Sequence, residues 1–390
     1  MKTEAVERGR RTGKKNREKE QRKRTRKKSR MEKMEKENFD LERVIIRPMN
    51  PGEEKTIAKI GRSAFGFFEA LFVSVPRHAM VADYEGNIAG GILYKPMNLP
   101  GGKKVLYMDI GFVHPDYQGM GVGKKLYSET FRMLWETDCD YMTALVKDDN
   151  IGSYKPLLQN GYRRVSCKEV LKKFGFLGFF KQYLGTVWFL AGGMDFYMAE
   201  RKKEKQEEKR FPILCYFLSN LLLLLPMFGM LLLENNNPEK VCFMFLAFAT
   251  ILFALFATRS LGALIAKRKW KFRFNNGGAL LTLLLGLGNS LFPMNGNWYL
   301  EDYENSEKDR KSMACTELVR WFVFLFLPLA QLGGTVYGKS LAQLAQVFMV
   351  YSLIPIYPFE HLGAGRIYRY NKWLWLITTV ITIAVLYFYS

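Results

Sequence analysis

From residue 211 onward the chain is a succession of apolar runs, at 211–233, 241–266, 278–292, 318–337, 341–357 and 373–389. In hydrocarbon no water satisfies a backbone N–H or C=O, so a spanning segment must close its own hydrogen bonds, as a helix does. About twenty helical residues cross a bilayer core of about 30 Å. The 15-residue run at 278–292 is short for that. Lysine and arginine in the connections set orientation, because they are retained on the cytosolic side. Arg201–Arg210, Ala266–Asn275, Lys308–Lys311 and Arg366–Lys372 are heavily basic, whereas Glu234–Lys240 and Gly333–Ser340 carry one Lys each. These charges agree if 278–292 is re-entrant. The expectation is an all-α polytopic unit over 211–390 with five spans, its C-terminus on the side opposite a cytosolic N-terminal part.

The first part of the chain is of another kind. Hydrophobic residues make up 48% of the 390, but residues 1–37 hold almost none, with 17 Lys/Arg against 7 Glu. Such a segment cannot bury enough surface to offset its ordering entropy, so a disordered basic tail is expected. Two readings fit it: binding to anionic lipid, ribosome or nucleic acid, or a solvated tail that keeps the positive end cytosolic. The N-terminus is basic with no apolar core behind it, which does not fit a signal peptide. The five cysteines form no C-x-x-C pair, which fits reduced thiols facing the cytosol.

Residues 38–200 alternate strand and helix signals. A strand at 43–47 is followed by one or two helices over 53–72. Strands at 78–83 and 88–94 flank the turn Tyr84-Glu85-Gly86-Asn87, and a longer strand covers 103–113. A helix over 121–136, a strand at 141–146, a helix at 150–159, a strand from Tyr162 and a last strand within 187–199 complete an α/β unit. The aromatic insert Phe174-Gly175-Phe176-Leu177-Gly178-Phe179-Phe180-Lys181 reads as a membrane-interface element or as a packed helix or hairpin. Residues 201–210 form a charged link to the apolar unit.

Between the strand ending at Val113 and the next helix lies Gln118-Gly119-Met120-Gly121-Val122-Gly123, followed by Lys124. Glycines let a backbone approach an anion, and the N–H groups and dipole of a helix N-terminus favour negative charge. The spacing is not G-x-x-x-x-G-K-[ST], which excludes a Walker-type nucleotide loop. Gln-x-x-Gly-x-Gly after Val113-His114-Pro115-Asp116-Tyr117 resembles the acetyl-CoA loop of GNAT-superfamily N-acetyltransferases. Asn150-Ile151-Gly152-Ser153-Tyr154-Lys155-Pro156-Leu157, leading into Asn160-Gly161-Tyr162, resembles that family's Asn…Gly-Phe stretch.

The resemblance implies a mixed sheet with flanking helices, acetyl-CoA as cofactor, and transfer of acetyl to an amine acceptor. It implies a cofactor site made by Phe112, Val113, Gln118, Gly119, Met120, Gly121, Val122, Gly123, Lys124 and Asn150. It implies a base or water-positioning acid on the fourth strand, where Asp109 stands. Strand alternation puts Asp109 on one face with Gly111 and Val113; a solvated strand residue fits as well. One departure matters. The family's tyrosine, seven residues after the Asn, protonates the departing thiolate, and here that position is Leu157. Tyr154 lies one helical turn earlier and is the substitute candidate. His114 reads as a turn residue.

The apolar unit carries a looser resemblance. Leu353-Ile354-Pro355-Ile356-Tyr357-Pro358-Phe359-Glu360 and Gly363-Ala364-Gly365 resemble the Pro-x-x-Pro-Leu-Asp-Gly region of site-2 proteases, which are intramembrane zinc metalloproteases. Thr258 to Arg268 resembles their His-Glu-x-Gly-His helix in its glycine and basic residues. Arg259, Ser260 and Ala263 stand where the zinc-binding His, the Glu and the second His would be, and no histidine occurs between 115 and 360. The expectation is a protease-like scaffold with no metal. His361 is expected at the membrane interface. Two functions fit the whole chain: a membrane-anchored N-acetyltransferase acting on a protein amine, aminolipid or polyamine, and a non-catalytic acetyl-CoA-binding sensor or scaffold.

Overall fold

The computed structural model of the protein describes residues 39–184, 193–201, 211–234 and 237–389. The basic tail and nearly all of the 201–210 link lie outside the described residues. Among those described, seven strands form one mixed sheet: β1 (Val44–Pro48), β2 (Ala79–Tyr84), β3 (Asn87–Leu99), β4 (Lys103–Val113), β5 (Tyr141–Val146), β6 (Arg163–Val165) and β7 (Asp195–Glu200). The order across the sheet is β1-β2-β3-β4-β5-β7-β6; β4 and β5 run parallel and the other neighbours antiparallel.

Helices α1 (Glu54–Ala64) and α2 (Phe67–Ala70) precede β2. Helix α3 (Val122–Trp135) links β4 to β5, and α4 (Ile151–Gln159) links β5 to β6. α3 is held by its stripe of Val122, Leu126, Phe131 and Leu134, which packs on Leu106, Met108, Met142 and Ala144 of the central strands. Burying each such large side chain contributes about 1.5–3 kcal/mol. The aromatic insert is part of a helix, α5 (Cys167–Leu184), broken where Gly175 takes φ +70°. Phe174 and Phe179 turn into the core, while Phe176 and Leu177 stay exposed.

The second unit is helical but not all-α. Helices α6 (Pro212–Leu223), α7 (Leu225–Glu234) and α8 (Pro238–Ile265) lead into a two-stranded hairpin, β8 (Trp270–Phe274) and β9 (Gly296–Leu300), with α9 (Asn276–Leu287) between them. Phe274 pairs with Gly296, so the chain between them leaves and returns to one place. Then come α10 (Glu307–Phe324), α11 (Val336–Tyr351), α12 (Ala364–Tyr370) and α13 (Lys372–Tyr389). A capping box of Ser306 and Asp309 starts α10, which satisfies two helix-end donors.

Among the described residues, four segments are long and apolar enough to cross a membrane: Pro212–Glu234, Pro238–Ile265, Glu307–Gly333 and Lys372–Tyr389. The fifth expected span, over 341–357, is the 16-residue α11, which is shorter than those four. Even so, α11 joins the far end of the Glu307–Gly333 segment to Glu360, whose carboxylate meets Lys147 of the first unit at 2.8 Å.

The two units share one core. Leu99, Val105, Tyr107 and Leu145 of the sheet belong to the same buried cluster as Leu281, Phe292, Tyr357 and Leu362. At the seam Asp195 accepts from the N–H groups of Asn276 (3.1 Å) and Gly277 (3.4 Å), a carboxylate at the N-terminus of α9. A Cβ at Gly277 would stand 1.8 Å from the Met194 carbonyl oxygen, so only glycine permits this approach.

Candidate active site

β4 and β5 are paired only from Val105–Tyr141 to Met108–Ala144. Beyond that point they part, and the opening is a cleft lined by Asp109, Ile110 and Gly111 on one side and Leu145, Val146 and Lys147 on the other. Phe65, Glu69 and Val73 close a third side, and Asn150, Ser153 and Leu157 of α4 a fourth.

The strands part where β4 carries an extra residue. Leu93 pairs with Ile110 and Tyr94 with Met108, which leaves Asp109 as the unpaired residue of a β-bulge. The bulge breaks the alternation expected from the sequence. Met108 packs on the α3 side; past the bulge, Val113 takes that side and Phe112 packs with Ile57 of α1. Asp109 belongs to neither regular face. Its side chain is 3% exposed, so it is not a solvated strand residue. Oδ2 meets Lys95 Nζ at 2.7 Å, and Oδ1 is buried with no hydrogen-bond partner among the described residues.

The glycine loop leads directly into α3. Gly119 and Gly121 have φ +81° and +85°, the left-handed region that a Cβ disfavours. Gly121 is the residue that caps α3, and its carbonyl accepts the Lys125 N–H at 3.2 Å. The N–H groups of Val122, Gly123 and Lys124 therefore open the helix without an intrahelical partner. Gln118 donates to the Val113 carbonyl at 3.2 Å and ties the loop back to β4. His114 is a turn residue, its Nδ1 accepting the Asp116 N–H at 3.2 Å. Phe112 is a core side chain, Met120 packs against the α3 core, and Asn150 caps α4 by accepting the Ser153 N–H at 3.2 Å. These residues suit an anionic cofactor: two left-handed glycines, free helix-end donors, and a cleft beginning at the same strand end.

Tyr154, the substitute candidate, is not among the residues that line this cleft. Leu157 lines the cleft, while Tyr154 packs beneath it, stacked on Tyr197 with the Arg273 guanidinium 4.7 Å from its ring. Burial raises the Tyr154 phenol, against an opposing pull from Arg273. The phenol that lines the cleft is Tyr127, beside Gly111, and burial pushes it up to about 12.

The β5–α4 loop is held from the second unit. Lys147 Nζ sits between Glu360 (2.8 Å) and Glu69 (3.3 Å). Asp148 is buried and is held by His361 and by the Tyr299 hydroxyl. Burial alone would raise its carboxyl; His361, Tyr299 and Arg273 outweigh that and hold it well below its ordinary value. Asp149 pairs with Arg366 and Arg369. His361 thus lies buried against the first unit. The sequence gives no sign of this set, because its bonded partners are 78 to 220 residues apart and meet only in the fold.

The positions aligned with zinc ligands have structural partners. Arg259 pairs with Glu317 at 3.0 Å and donates to the His361 carbonyl at 2.9 Å. Arg320 joins the same carboxylate at 2.8 Å. The Ser260 hydroxyl accepts from the Trp298 indole at 3.0 Å. Gly262 is needed where α8 crosses α10, since a Cβ would stand 2.5 Å from Thr316 Cα.

Residues 49–162, which include the bulge, the glycine loop and α4, match the Acetyltransferase (GNAT) family. The matched segment is under a third of the 390 residues. Among solved structures the chain is similar to the GNAT family N-acetyltransferase YhbS of Escherichia coli in complex with CoA. That likeness has 20% identity over 31% of this chain and 68% of that one, at a TM-score of 0.25. A GNAT family acetyltransferase of Brucella melitensis in complex with acetyl-CoA is also 20% identical, over 28% and 80% of the two chains, at 0.25. Naa50 of Arabidopsis thaliana, in complex with a bisubstrate analogue, is 15% identical over 32% and 85%, at 0.27. No curated protein matches the chain. The family match and the mixed seven-stranded sheet agree on the fold of the first unit, an α/β GNAT fold, followed by a helical unit rich in apolar helices. None of these matches supports the site-2 protease likeness of the second unit.

Proposed function

We propose that the protein is a membrane-embedded N-acetyltransferase that moves the acetyl group of acetyl-CoA to a primary amine. The observation that carries this reading is the adjacency of the glycine cradle to a cleft containing the buried, half-partnered carboxylate of Asp109. The N–H groups of Val122, Gly123 and Lys124, with Gly119 and Gly121 keeping side chains out of the way, would hold the pyrophosphate. Acetyl-CoA, when bound, supplies an activated thioester. Asp109 Oδ1 accepts the proton that the attacking amine loses, Lys95 fixes the other oxygen, and the Tyr127 hydroxyl is available to donate to the departing sulfur.

The positions of the connections between the apolar helices support five crossings in the proposed membrane. Arg273, Tyr303, Glu360 and Arg369 all touch the first unit, through Asp148, Lys155, Lys147 and Asp149 respectively. The chain therefore returns to that side after α8 and again after α11. With the basic connections on the cytosolic side, the first unit is cytosolic and α13 ends on the opposite side. The basic tail would then lie near anionic lipid.

A second reading rests on Leu157: with no phenol at that position, the first unit would bind acetyl-CoA without turning it over. Titration calorimetry of the detergent-solubilised full chain with acetyl-CoA, followed by thiol release over a panel of amines, separates the two. Binding with thiol release is expected. Binding without release from any amine selects the sensor, and failure to bind overturns both.

A further inference from the structure

The segment after α1 has two faces. Phe65, Glu69 and Val73 line the cleft, while Phe67, Leu71 and Val75, each two residues on, are 87%, 65% and 52% exposed. Large apolar side chains exposed beside a candidate acceptor cleft are not accounted for by packing among the described residues.

Their position relative to the apolar helices gives them a partner. Glu69 shares Lys147 with Glu360, and Glu360 also faces Arg369 at 3.6 Å. Three residues after Arg369 the apolar helix α13 begins at Lys372, with Trp373 74% exposed in its first turn. A basic residue pair followed by an exposed tryptophan at the start of an apolar helix marks the level of lipid headgroups. The cleft mouth is thus one chain of ion pairs away from that level. Inside, Asp109 Oδ1 offers an acceptor to an incoming amine, Glu69 is paired with Lys147, and Val73, Ile110 and Leu145 offer apolar wall.

We infer that the acceptor is an amine borne on a lipid-like amphiphile, delivered to the cleft from the bilayer over the rim of Phe67, Leu71 and Val75. This rests on the acetyltransferase reading above and narrows its acceptor. The neutral amine attacks the thioester carbonyl, the new N–C bond replaces the C–S bond, Asp109 takes the amine proton, and the sulfur leaves as thiolate and takes the Tyr127 hydroxyl proton to give CoA thiol, the Asp109 proton returning to Tyr127 through water. The product is an N-acylated amphiphile that has lost its positive charge.

The test uses the full chain in liposomes, with acetyl-CoA and either octadecylamine in the bilayer or propylamine in the water, reading CoA thiol. Release with octadecylamine is expected to exceed that with propylamine by at least about tenfold in kcat/KM, since each rim side chain that buries apolar area favours the bound amphiphile. The double variant Phe67→Ser, Leu71→Ser is expected to raise KM for octadecylamine about tenfold, with acetyl-CoA affinity as the control for folding. Equal use of the two amines, or turnover of a peptide or polyamine amine alone, overturns the lipid acceptor and leaves the acetyltransferase standing. Acetyl-CoA binding with no thiol released from any amine overturns both.

Discussion

The two sides of the cleft are built in opposite ways. The cofactor side is local: thirteen consecutive residues, 113–125, contain the strand end, the two left-handed glycines and the helix start. The acceptor side is assembled from distant pieces, with the β5–α4 loop held by Tyr299, Glu360, His361, Arg366 and Arg369. A locally built site is specified by backbone conformation. One assembled across the fold is specified by packing, so its integrity depends on the second unit.

The largest expected effect tests the chemistry common to both sides. Asp109→Asn keeps the shape of the bulge and removes the proposed base, so kcat should fall by about 10²–10⁴-fold. Acetyl-CoA affinity, measured by calorimetry, should not change. An equal fall in both would place Asp109 in cofactor binding and break the division.

Next in size is the brace. Glu317→Gln leaves Arg259 and Arg320 buried without their carboxylate, which costs about 3–5 kcal/mol. Thermal unfolding of the full chain in nanodiscs should reveal it. If the two sides are as different as their construction, a milder variant, Arg369→Gln, will lower kcat/KM for the amine several-fold and leave acetyl-CoA affinity alone.

A smaller effect belongs to the cofactor side. Gly121→Ala places a Cβ at φ +85° and 3.0 Å from Leu41, a strain of about 1–2 kcal/mol. The Kd for acetyl-CoA should rise about tenfold, while KM for the amine stays within twofold. The smallest effect is one of pH. The carboxyl of Asp148 is held below its unfolded value, so its contribution to stability is complete above about pH 4 and is lost as pH falls through the folded value. Acid unfolding curves should show His361→Asn losing stability at a higher pH than the parent chain.

Much of the first unit was legible in the sequence because its signals are short-range. The strand at 103–113 came out with the same limits, and the helix expected at 121–136 is Val122–Trp135. The bulge was not legible: Asp109 looks like any alternating strand residue until β3 is laid beside it. Tyr154 was within reach of the cleft by helical spacing, but Arg273, 119 residues further on, holds it elsewhere. His361 looked interfacial beside a basic loop, and only the arrival of Asp148 makes it a buried partner.

What the sequence determined by itself is what neighbouring residues impose on one another: glycines that permit a left-handed loop, an asparagine that caps a helix, apolar runs that cannot leave their backbone unpaired. What only the tertiary structure decided is where those pieces meet. The parting of β4 and β5 at Asp109 depends on strand register, and the hold of the second unit on Lys147, Asp148 and Asp149 on charges brought together from across the chain. Both are long-range choices, settled by packing and charge pairing in the folded core.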